Sequence, residues 1–164
     1  MATTKKDPYL ELHEKFLYPL VRVVAQGAEK VAAGSGIVVY SKPRKGEDKY
    51  ETFVLTNFHV IKPLITVEEN WDTSIGRDIK KETRAEALVE FFGYEDTSWI
   101  TDAMALRANV VAWDAEKDLA VVQLKATKRV EYTAPIIKPD DIRKKLRIFS
   151  PVYCIGCGLG APPL

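Results

Sequence analysis

The residue of greatest chemical interest is His59, in the run Thr56-Asn57-Phe58-His59-Val60-Ile61. It follows the apolar stretch "YETFVL" directly and is one of only two histidines in the chain. Histidine is the usual general base near neutral pH because its unperturbed pKa lies at about 6.5. In that role it needs a carboxylate to fix its tautomer and stabilise the imidazolium. A histidine between two apolar neighbours can equally be a structural one with its hydrogen bonds satisfied. The run alone does not decide between packing and chemistry, so the elements around it carry the argument.

Those elements read mostly as strands. Residues 1–7 read as a frayed tail, and "DPYLELHEKFLYPL" as one short helix that starts at Asp7-Pro8 and ends before Pro19. "LVRVVAQ" and "VAAGSGIVVYS" are rich in β-branched residues and predict two strands. Gly34 and Gly36 interrupt the second, which signals a bulge or a close approach of backbone. "PRKGEDK" is a turn and "YETFVLT" a third strand, with a helical turn expected in "NFHVIKPLI". "NWDTSIGRDIKKET" reads as a polar loop. "RAEALVEFFGYED" and "WITDAMALRANVVAWD" read as two longer strands, although helix competes for "AEALVEFF". "DLAVVQLK" alternates cleanly, with Leu119, Val121 and Gln123 on one face and Ala120, Val122 and Leu124 on the other. "IIKPDDIRKKL" reads as a loop with one turn, and "SPVYCIGCGLG" as a last strand running into glycines. Many short strands with little helix and no internal repeat predict an all-β barrel or sandwich.

Bulk composition narrows the function classes. With 164 residues and 46% hydrophobic content, the chain suits one globular domain or two small ones. A formal net charge of +1 leaves no global basic bias towards nucleic acid and no acidic block towards disorder. The runs "SKPRKGEDK" and "IRKKLR" are mixed or short, and read as solvated loops rather than nucleic-acid patches. No stretch is long and apolar enough to span a membrane, and no secretory signal is visible. A cytoplasmic or virion-associated location is the expectation.

Four segments in order give the histidine its context. They are Gly34-Ser35-Gly36-Ile37-Val38, Thr56-Asn57-Phe58-His59-Val60, Asp118-Leu119-Ala120-Val121-Val122 and Val152-Tyr153-Cys154-Ile155-Gly156. Together they resemble the trypsin-like serine peptidases, in particular the HtrA-like branch, over roughly residues 20–160. That resemblance implies a six-stranded Greek-key barrel, the first half of a chymotrypsin-like double barrel, with a short N-terminal helix. It also implies that His59 is the general base and Asp118 its orienting carboxylate. Asp114 and Glu116 are the local rivals for that carboxylate, but Asp118 leads directly into the strand, as in the family. No cofactor and no metal are implied.

The nucleophile is the departure. The family's serine stands in a Gly-Asn/Asp-Ser-Gly-Gly stretch on a second barrel, and these 164 residues contain no such stretch. The serines are Ser35, Ser41, Ser74, Ser98 and Ser150. Ser35, in Gly-Ser-Gly, sits where the family has a structural strand. The chain is therefore expected to be the N-terminal half of a serine endopeptidase, with a tail and helix over 1–19 and a barrel over 20–164. Alone it is expected to be inactive. Its expected partners are a peptide or protein substrate and a C-terminal barrel, or a second chain, covering one face. The alternative is a non-catalytic binding or scaffold module on a degenerate peptidase barrel.

Three smaller features complete the reading. The separation from His59 to Asp118 is long for the HtrA-like branch, and the excess lies in 68–108, as loop and long hairpin. Cys154 and Cys157 have CxxC spacing, but a zinc site normally needs four ligands and a thioredoxin-type site a helix within a βαβ unit. Both cysteines read as packing thiols, with Cys157 nearer the cleft. Trp71, Trp99 and Trp113 read as core or loop anchors.

Overall fold

The computed structural model describes residues 8–28, 30–95 and 98–163, so the tail expected at 1–7 lies outside the described residues. The first element is α1 (Pro8–Leu12), which widens into a π-helical turn over His13–Leu17 and stops before Pro19. Proline at the start of α1 gives up a backbone N–H that no helix could have used there.

Among the described residues eight strands follow: β1 (Leu20–Gln26), β2 (Val31–Pro43), β3 (Tyr50–Thr56), β4 (Ile65–Asp72), β5 (Arg77–Arg84), β6 (Ala87–Glu95), β7 (Trp99–Asp114) and β8 (Leu119–Leu124). Six of them close a barrel in the order β1-β2-β3-β8-β7-β6, every neighbour antiparallel. Strands that are neighbours in the ring but distant in sequence, β3 with β8 and β1 with β6, make it the expected Greek key. Closure removes every free edge from the ring.

Period-2 alternation fills the interior. Val21, Val23 and Ala25 from β1 meet Val54 from β3, Ala87 and Val89 from β6, and Ala120, Val122 and Leu124 from β8. The two β2 glycines answer the close-approach expectation. A Cβ on Gly36 would stand 2.7 Å from Val23 Cγ2 and 2.8 Å from Val54 Cγ1, and one on Gly34 would stand 2.5 Å from Val60 Cγ2. The bulge in β2 falls later, between Val38 and Tyr40.

Between β3 and β4 the chain turns through α2 (Phe58–Ile61) and a 3-10 turn (Lys62–Leu64), where the sequence predicts a helical turn. Val60, Ile61 and Leu64 are buried and tie this turn to the barrel core. Later, α3 (Pro139–Lys145) forms where one turn is expected.

Several expectations are corrected. The segment 70–83, read as a polar loop, is most of a two-stranded hairpin formed by β4 and β5. It stands apart from the barrel sheet, and almost all of its side chains are exposed. "SPVYCIGCGLG", read as a last strand, is extended chain ending in a 3-10 turn at Gly158–Gly160. A strand needs an edge, and the closed ring offers none. The segment is held instead by single hydrogen bonds, from the Cys157 N–H to Ser35 Oγ (2.8 Å) and from Arg22 Nη1 to the Gly160 carbonyl (2.6 Å). Finally, Trp71 and Trp99 are largely exposed rather than anchored. Trp113 does pack against the core, under the Arg84 guanidinium at 4.4 Å.

The cysteines also part company. Cys157 is buried, as a packing thiol should be, and its thiol donates to the Val21 carbonyl at 3.6 Å. Burial pushes that thiol's pKa up. Cys154 is exposed, so the packing reading fails for it. Only the thiolate attacks an alkylating agent. Iodoacetamide is therefore expected to modify Cys154 in the native chain and Cys157 only after unfolding, as peptide mass mapping would show. Equal native labelling of both would mean that Cys157 is not held as described.

Candidate active site

The site is assembled where β3 ends and β8 begins. At the end of β3, the Thr56 hydroxyl donates to the Ser35 carbonyl at 2.8 Å, which locks the strand to β2 just before the chain turns. Asn57 is the N-cap of α2, and its extended backbone (φ −92°, ψ 148°) redirects the chain into the helix. His59 then falls on the outer side of α2, while its neighbours Val60 and Ile61 point inward and are buried. The absence of a side chain at Gly34 makes room for Val60.

Asp118 approaches from the tight turn between β7 and β8. Its φ is +51°, a left-handed conformation that Asp tolerates better than most residues. The carboxylate meets α2 with both oxygens. Oδ1 accepts the His59 backbone N–H at 2.8 Å, and Oδ2 lies 2.7 Å from His59 Nδ1. Asn57 Nδ2 donates to the Asp118 carbonyl at 2.9 Å and to Oδ2 at 3.3 Å.

These contacts set the electrostatics. The His59 backbone N–H, followed by the His59 imidazole, holds the Asp118 carboxyl below its ordinary range, with the Asn57 amide contributing less and desolvation opposing. An ionised carboxylate only accepts hydrogen bonds, so Nδ1 carries a proton and Nε2 of a neutral ring is left as the basic nitrogen. The two side chains are 69% and 44% exposed. At that exposure an ion pair adds little to stability, so the arrangement is better explained by orientation than by folding energy.

The pH consequence has a definite sign. Asp118 titrates lower folded than unfolded, so it contributes stability above the unfolded value, and this is lost as pH falls through the folded value. From about pH 5 downward, the acid limb of the stability curve should therefore be shallower for Asp118→Asn than for wild type. Asp72, Glu86 and Asp114 are lowered too, so wild type minus variant is the quantity to read. Superposable acid limbs would contradict the bonding described.

Of the sequence candidates, the structure brings His59 and Asp118 together. The rival Asp114 is engaged elsewhere, by the Lys117 N–H (3.0 Å) and Nζ (2.8 Å). Ser35 Oγ accepts the Cys157 N–H and the Ser35 carbonyl accepts the Thr56 hydroxyl, so this residue braces the barrel. No group of three or more His, Cys, Asp or Glu is placed to hold a metal among the described residues. Nor is any helix among them long and apolar enough to cross a membrane. Sequence reasoning quoted Asn57 within its motif but gave it no role. An Asn before a helical turn is an ordinary N-cap choice and does not by itself point to a contact with Asp118.

The closed six-stranded ring is that of a chymotrypsin-like β barrel, and the family comparison agrees with that fold. The family model "Trypsin-like peptidase domain" matches residues 34–164, and the chain belongs to that family. Among solved structures, a crystal structure of Deg5 aligns at 19% identity and a TM-score of 0.45, covering 79% of this chain. The chain spans 47% of the length of that Deg5 chain. No curated protein matches.

Proposed function

We propose that His59 and Asp118 are the general base and orienting carboxylate of a serine endopeptidase, and that residues 20–164 form its first barrel behind a tail and helix at 1–19. The 2.7 Å approach of Nδ1 to Asp118 Oδ2 carries the reading. The nucleophilic serine lies outside these 164 residues, on a second barrel. As that serine attacks the scissile carbonyl, His59 Nε2 takes its proton and returns it to the leaving amine. Asp118 keeps the ring in the required tautomer and stabilises the imidazolium. The substrates are peptides or proteins.

Exposed apolar side chains support a covering body. Ile148, Phe149, Val152 and Tyr153 are almost wholly exposed along one segment. Leu12, the π-helical turn after it and residues 151–155 line an open apolar groove of about 740 Å3 that also reaches Leu20 and Ile37. Apolar surface of this kind marks an interaction site, and the serine-bearing barrel is the occupant proposed. An Asp at positive φ set against an imidazole favours the catalytic reading over the non-catalytic scaffold.

The test is reconstitution. The 164-residue chain alone should release no peptides from casein. Supplying the second barrel, in the same polypeptide or separately, should restore hydrolysis. Hydrolysis by the 164-residue chain alone, or none with the second barrel present and folded, would contradict the reading.

A further inference from the structure

We propose that Asn57 is the positioning residue that fixes the Asp118 carboxylate against His59, an inference that rests on the base-and-carboxylate reading above. Three observations support it. First, Asn57 stands at the N-cap of α2, where an Asn side chain ordinarily accepts a hydrogen bond from the second or third helical N–H, yet it makes no cap bond. Its amide is turned outward and donates to Asp118 instead.

Second, Asp118 supplies the missing cap. The helical N–H that Asn57 leaves free is that of His59, and it is taken by Asp118 Oδ1. The two residues have exchanged duties across the gap between β3 and β8. Asn57 restrains Asp118, and Asp118 terminates the helix that carries His59. Third, Asn57 holds Asp118 by backbone and side chain together. The carbonyl contact restrains the left-handed turn at φ +51°. The Oδ2 contact restrains the oxygen that faces His59 Nδ1. The His59 N–H holds Oδ1, and the Asn57 amide adds the restraint that ties the Oδ2 side of the carboxylate to the residue's own backbone carbonyl. Rotation of the carboxylate would uncouple Oδ2 from the ring without unfolding anything.

The experiment uses the isotope-labelled 164-residue chain and two variants. Asn57→Ala removes the amide. Asn57→Asp keeps the shape and the helix-capping ability but replaces the donor with an acceptor, so a purely structural cap role survives it. Thermal melts establish that each is folded. Imidazole nitrogen spectra report which His59 nitrogen carries the proton, and the Asp118 carboxyl carbon reports its titration. Wild type should show the Nδ1–H form. Both variants should lose it as the dominant form, and in Asn57→Ala the Asp118 titration should move upward. Should Asn57→Ala fail to fold, the tautomer in Asn57→Asp decides. Folded variants that keep the Nδ1–H form, with Asp118 in Asn57→Ala titrating as in wild type, would overturn the role of Asn57 alone. A wild-type chain without the Nδ1–H form would overturn the base-and-carboxylate reading together with it.

Discussion

Replacing His59 by alanine in a form of the protein that carries the serine-bearing barrel is expected to lower kcat by several orders of magnitude, with KM little changed. The reason is positional. Without the imidazole nothing takes the serine proton as it attacks, while substrate binding draws on surfaces the substitution does not touch. Removing a triad member in this class of enzyme typically costs on the order of 10⁴ to 10⁶ in turnover, leaving only what binding and oxyanion stabilisation supply. His59 is mostly exposed and contributes no core packing. The variant should therefore fold and melt close to wild type, so a loss of activity would not reflect unfolding. Asp118→Asn should also lose activity, because an amide in place of the carboxylate favours the wrong tautomer. The two losses should not add, because the residues act as a unit. Steady-state kinetics on the single and double variants checks both points. Near-normal turnover in His59→Ala would remove the catalytic reading altogether.

The second large effect is on stability. Ile61 is fully buried in the short turn that carries His59, packed within the barrel core. Truncation to alanine leaves a void that a closed barrel can only partly collapse, and such Ile→Ala changes cost about 2–5 kcal/mol. That is a large share of the total for a domain whose whole stability is about 5–15 kcal/mol. Urea unfolding should show a lower midpoint with an unchanged slope. Ile61→Ala should also loosen α2, so the His59 Nδ1 contact should weaken while the barrel strands survive. A loss under about 1 kcal/mol would mean that α2 is not seated on the core as described.

The barrel strands were legible in the sequence because each puts one face inside. Burial on alternate residues writes a period of two into β1, β3 and β8, and the β-branched residues reinforce it. The β4–β5 hairpin lacks that signal because it buries neither face. Its backbone ladder joins it, with Glu69 opposite Lys80 and their side chains 2.7 Å apart, and with its turn set by Gly76 at φ +60° and by Asp72 accepting from Ser74. Reading opposite charges as cross-strand partners would have found it. The segment "SPVYCI" erred the other way. Its residues favour strand, but propensity cannot supply an edge in a ring that is already closed.

The site was half legible for a similar reason. His59 and Asp118 are chemically distinctive types at motif positions. What Asn57 does depends on which way its amide turns across a gap of 61 residues, and no local pattern encodes that. Ser35, read as part of a structural strand, does lie in β2, and its Oγ accepts a backbone N–H from 122 residues away.

The central claim is that His59 and Asp118 serve a serine that these 164 residues do not contain. The most direct test treats the 164-residue chain, and a form carrying the second barrel, with a fluorophosphonate probe, and maps any adduct by mass spectrometry. No label on the 164-residue chain is expected, and a single labelled serine on the second barrel of the longer form, abolished by His59→Ala. An adduct on Ser35, or on a second-barrel serine labelled equally well without His59, would contradict the account.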